Sequence, residues 1–98
     1  SLLRHDDHRL LFSNPYPKTD PLALTQHLRR ERLTVRTSTD DGKSWPVSRV
    51  LHEGPSAYSS LARLPDGTIL CLYEGGEKNS SEALRLARFN LDWLTESK

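Results

Sequence analysis

Apolar and polar positions alternate most clearly where Leu33, Val35 and Thr37 fall between Thr34, Arg36 and Ser38. A period of two belongs to a half-buried strand. Arg9 to Ser13 is a compact apolar run closed by Asn14-Pro15, which reads as a turn because proline cannot donate to a ladder. Val47 to Leu51 starts another extended segment. Further on, Ser59 to Leu64 and Thr68 to Glu74 flank Pro65-Asp66-Gly67. Proline presets φ and glycine accepts a positive one, so this stretch predicts an antiparallel hairpin. Leu84 to Trp93 alternates with a slip at Arg88, while Leu84, Ala87, Leu91 and Leu94 also fit a helical face. It is read as a strand followed by a helical turn. Tyr16 to Arg29, bounded by Pro17 and Pro21, reads as a loop with room for a helical turn after Asp20-Pro21. Short strands joined by turns predict an all-β antiparallel architecture. At this length such strands cannot close on themselves, and their open edges need neighbours.

Composition narrows this. Ninety-eight residues make one small domain or a piece of one. Only 35% are hydrophobic and 28% are charged, a polar balance that burial against something else would explain. Fourteen Lys and Arg against 13 Asp and Glu leave a net charge of +1, with no long-range field to steer nucleic acid or an anionic membrane. No stretch approaches the roughly 20 apolar residues of a membrane helix, and none reads as a signal peptide. Cys71 has no partner for an internal disulfide and reads as a small core residue. With no Met in the chain, Ser1 reads as a processed or cut end. His5, His8, His27 and His52 lack metal-ligand spacing with Cys71 and read as surface residues. Gly75-Gly76-Glu77-Lys78-Asn79 reads as a loop without the spacing of a phosphate cradle.

The stretch Ser38-Thr39-Asp40-Asp41-Gly42-Lys43-Ser44-Trp45 has the spacing Ser-x-Asp-x-Gly-x-Ser-Trp after an alternating strand. Asp40 can accept backbone N–H groups across the turn, Gly42 supplies a positive φ, and Trp45 can fold back onto the sheet. The motif resembles the Asp-box of sialidases and related β-propellers, matching at Ser38, Asp40, Gly42, Ser44 and Trp45. In that family the box is structural and peripheral, which argues against Asp40 as a catalytic acid. Calcium binding by Asp40 and Asp41 is the alternative, but two carboxylates are too few for a cage.

Three further stretches look like exo-α-sialidases. Gly54-Pro55-Ser56-Ala57-Tyr58-Ser59-Ser60-Leu61 resembles the segment of the nucleophilic tyrosine, with Tyr58 in its place. Leu72-Tyr73-Glu74 places Glu74 on a glutamate that orients a clamp arginine, and Arg30-Glu31-Arg32-Leu33 places Arg30 on an arginine that binds the sialic acid carboxylate. Leu10 to Pro15 and Arg88 to Leu94 are similar to the family as well, so the resemblance covers nearly the whole chain. It implies the last one to two four-stranded blades of a six-bladed β-propeller, residues 1–98 being a C-terminal fragment with no complete domain of its own.

The resemblance implies retaining hydrolysis of terminal α-linked sialic acids through a tyrosyl-enzyme intermediate, with no metal or organic cofactor. Its substrates would be sialylated glycoproteins, glycolipids or oligosaccharides. A carboxylate on the substrate's anomeric carbon repels a carboxylate nucleophile, whereas a neutral phenol avoids that charge. Arginine suits the same carboxylate because its fork donates two parallel charge-assisted bonds. The family's acid, the glutamate that activates the tyrosine and two clamp arginines have no counterpart here, so the chain by itself is expected to be nearly inactive. It would need the remaining blades of a parent, or other copies of itself. Ser60 stands where many relatives have aspartate. Taken singly, each residue has a bland rival: a core tyrosine for Tyr58, a solvated arginine for Arg30 with Arg29 as runner-up, and a solvated strand end for Glu74. A non-catalytic carbohydrate-binding or scaffolding propeller is the rival at the level of the molecule, but a scaffold would need only the Asp-box. A related transfer reaction, such as that of a trans-sialidase or one forming anhydro-sialic acid, is a third. A secreted, periplasmic or bacterial cell-surface setting comes first and a lysosomal type second.

Overall fold

A computed structural model describes residues 1–16, 31–79 and 82–96. Six strands follow one another as an antiparallel meander, each paired with its neighbours in chain order. They are β1 (Leu2–Asp6), β2 (Arg9–Pro15), β3 (Glu31–Ser38), β4 (Val47–Arg63), β5 (Ile69–Gly75) and β6 (Ala83–Phe89), followed by the short helix α1 (Leu91–Thr95).

The 17-residue β4 sets the shape. Its first half pairs with β3 as far as the Glu31–Pro55 pair, and its second half pairs with β5 from Ser56–Gly75 onward. The partner changes at Gly54-Pro55-Ser56. One half of β4 thus completes a four-stranded sheet with β1 to β3, and the other opens a three-stranded sheet with β5 and β6. The second sheet has one strand fewer, among the described residues, than the four-stranded unit expected. The strands curl into a half-barrel, as in part of a β-propeller. Hydrogen bonds draw the halves together: the Leu61 amide donates to Ser1 Oγ at 3.1 Å, and the hydroxyls of Ser13 and Ser59 meet at 2.7 Å.

Between the halves lies the core, built on Leu11, Leu33, Val35, Leu61, Ile69, Cys71, Tyr73, Phe89 and Leu94. Cys71 is fully buried, and burial pushes its thiol up to about 11. The Pro65-Asp66-Gly67 hairpin forms as expected. Gly67 has φ +93°, its amide reaches the Leu64 carbonyl at 2.9 Å, and Asp66 accepts from the Thr68 amide. The ambiguous stretch resolves into β6 followed by α1, because Asn90 caps the helix by accepting from the Trp93 amide at 2.8 Å. Arg49 then pins α1 to β4, donating to the Trp93 carbonyl at 2.6 Å and lying over the indole at 4.1 Å.

Several expectations change. Strand β1 was not legible; it forms because β2 supplies a partner, in the register Leu2–Phe12 to Arg4–Leu10. Asn14-Pro15 continues β2 instead of turning, since Pro15 stands opposite Leu33 at the strand's end. Strand β3 is more than half buried: Thr34 and Ser38 are covered as well as Leu33, Val35 and Thr37, because β3 lies inside the sheet. His5 is buried, its Nε2 donating to the Gly67 carbonyl of the other sheet at 3.0 Å. His52 is partly buried, its Nε2 donating to the Gly76 carbonyl at 2.9 Å. Both imidazoles pair with carbonyls that the curl brings over them. His8 is exposed. His27, the helical turn after Asp20-Pro21, Arg29 and Arg30 lie outside the described residues.

Candidate active site

The turn between β3 and β4 organises around Asp40. Its Oδ1 accepts from Ser38 Oγ at 2.7 Å and the Ser44 amide at 2.8 Å, while Oδ2 accepts from Ser44 Oγ at 2.6 Å. Ser38 Oγ in turn accepts from the Gly42 amide at 2.9 Å. These bonds, those of Ser44 foremost, hold the Asp40 carboxyl down to about 2. Gly42 sits at φ +88°, and Trp45 packs on Phe12 with centroids 6.0 Å apart. Asp40 thus ties together both ends of its own turn, from Ser38 to Ser44. Among the described residues no group of His, Cys, Asp and Glu has the arrangement of a metal site.

Tyr58 and Glu74 come together on adjacent strands, β4 and β5. Between the pairs Ser56–Gly75 and Ser59–Tyr73, β4 carries two residues and β5 one, so a bulge lies at Ala57-Tyr58. Ser56 and Ala57 are buried in succession, and Tyr58 emerges 73% exposed. Its amide lies 3.4 Å from Glu74 Oε1. Together with Ser60, Leu72 and Leu84 the pair lines an open depression on the outer face. The core tyrosine of this chain is Tyr73, which stacks on His52 at 5.7 Å.

The bulge was missed from the sequence. Its signal was the run Gly54-Pro55-Ser56-Ala57, small residues where alternation fails just before an aromatic one. A concavity of about 590 Å³ lies elsewhere, between Leu51, Arg88, Phe89, Asn90 and Trp93. No carboxylate or tyrosine lines it, so it offers none of the groups a glycoside transfer uses. Among the described residues no helix is long and apolar enough to cross a membrane.

Over 85 residues, 87% of its length, the chain is 45% identical to a sialidase of Micromonospora viridifaciens. Over 93 residues, 90% of its length, it is 32% identical to human sialidase-4, and over 82 residues 33% identical to mouse sialidase-3. No protein-family model matches. The chain is thus a homologue of the sialidases, glycoside hydrolases, through a segment of their length. It spans 11% of the bacterial relative and 18% of each of the two mammalian ones.

Proposed function

We propose that the chain is the C-terminal part of a sialidase propeller and carries the nucleophile of an exo-α-sialidase. What supports the reading most is the exposed position of Tyr58 on its bulge beside Glu74, within a chain 45% identical to a sialidase. In this reading Arg30 binds the substrate carboxylate. The Tyr58 oxygen attacks the anomeric carbon, its proton passing to the parent's base, as the aglycone oxygen departs with a proton from the parent's acid. Water then attacks the same carbon, giving a proton back to the acid, while the Tyr58 oxygen departs and recovers its proton from the base, so two inversions give net retention. A neutral phenol is a weak nucleophile and needs a base to react at neutral pH. That base and the acid come from other blades of the parent. Each is worth about 10² to 10⁴ in rate, which is why the chain by itself hydrolyses almost nothing. The substrates are sialylated glycoproteins, glycolipids or oligosaccharides.

Exchanging the chain for the matching segment of the Micromonospora viridifaciens sialidase tests this. The chimera releases fluorophore from a 4-methylumbelliferyl sialoside, and Tyr58→Phe lowers kcat at least about 10³-fold. An active chimera indifferent to Tyr58→Phe rejects the nucleophile. A chimera that melts cooperatively yet neither binds nor cleaves sialosides favours a scaffolding propeller.

A further inference from the structure

The bulge in β4 decides which way Tyr58 faces. Residues opposite one another on paired strands share a face of the sheet. In the register of Ser59–Tyr73, Tyr58 stands opposite Glu74 and turns outward. In the register of Ser56–Gly75, Tyr58 would stand opposite Tyr73, whose side chain is buried in the core. The two registers meet at Ala57-Tyr58, where the extra residue draws an amide out of the ladder. A slip of the bulge past Tyr58 therefore reverses the side chain, as any one-residue slip in a sheet does.

Glu74 stands at this junction, and its Oε1 is the acceptor 3.4 Å from the Tyr58 amide. On β6 it faces Leu84, while the nearby Arg85 turns to the Gly75 carbonyl at 3.3 Å. We infer that Glu74 is a positioning residue for Tyr58, its carboxylate receiving the amide that the bulge releases and so holding the register in which the phenol points out of the sheet. The inference rests on reading Tyr58 as the nucleophile. It differs from the role the sialidase resemblance implies for Glu74, orientation of an arginine, because the carboxylate here acts on the backbone of Tyr58 itself.

The test needs no folding-sensitive variant at its first step. In the labelled chain, acidification moves the Tyr58 amide resonance in step with the Glu74 side-chain carboxyl resonance. The movement disappears in Glu74→Gln, whose other resonances stay in place. A Tyr58 amide that ignores the titration of Glu74 overturns the inference. In the chimeric enzyme, Glu74→Gln lowers kcat about 10- to 100-fold with KM nearly unchanged, the expected cost of a misplaced reacting group. A raised KM at constant kcat assigns Glu74 to substrate clamping and overturns the inference as well. Failure of the nucleophile reading shows separately, as activity retained in Tyr58→Phe, and leaves the amide titration standing or falling by itself.

Discussion

Asp40 shows how much a single side chain settles when its partners are a few residues away. Ser38, Gly42 and Ser44 all lie within four positions of it, so the spacing of the motif already contained the hydrogen bonds later found. The depressed carboxyl has a direct consequence for stability. A carboxyl at about 2 in the fold and near 3.8 in the unfolded chain leaves the unfolded state binding more protons between those values. Its contribution is fully present above about pH 4 and is lost as pH falls toward 2. Urea midpoints measured across that window should fall with pH, and Asp40→Asn should lower the midpoint at neutral pH while flattening the acid dependence. An unchanged acid slope in Asp40→Asn would place the linkage on other carboxylates. Tyr58 is the opposite case. Its type and neighbours suggested its role, but its exposure comes from a bulge formed with a strand 16 positions away.

At the scale of elements, the signals that worked were local ones. The Pro65-Asp66-Gly67 turn and the helical turn after β6 need only adjacent residues, and both appear where the sequence placed them, the latter on an Asn90 cap that the structure adds. Strand β1 has no such signal, since Leu2-Leu3 is followed at once by Arg4, His5 and Asp6. Its extended form is supplied by the ladder to β2. The merger of two expected strands into β4 was hidden in the same way, because Gly54-Pro55 reads as a break. The glycine is there for space: a Cβ at Gly54 would lie 3.0 Å from the Gly76 carbonyl oxygen and 3.3 Å from His52 Nε2. Gly54→Ala requires the Gly76 carbonyl and the His52 ring to give by a few tenths of an ångström. We expect a loss of about 1 to 3 kcal/mol in denaturant unfolding, the usual cost of overpacking. A cost near zero would mean that the loop yields freely and does not fix the bend.

For the molecule as a whole, burial is one-sided. The inner faces of both sheets close on each other, while the outer face of β5 and β6 exposes Leu72 at 47%, Leu84 at 72% and Leu86 at 63%, with Leu72 and Leu86 directly paired. Among the described residues β6 is an edge strand, and an apolar face at a sheet edge promotes association. Sedimentation velocity should show an average mass that rises with concentration, and Leu84→Lys with Leu86→Lys should hold the chain monomeric; a wild-type chain monomeric at every concentration would refute this. The sequence by itself determined the all-β class, the Asp40 turn, the hairpin, the closing helical turn and the kinship with sialidases, because each depends on residues close together in the chain. Only the tertiary structure decided that His5 and Thr34 are buried, that two strands are one, and that Tyr58 faces outward beside Glu74. Those depend on register and curl, which arise when distant segments pair and cannot be read from any one of them.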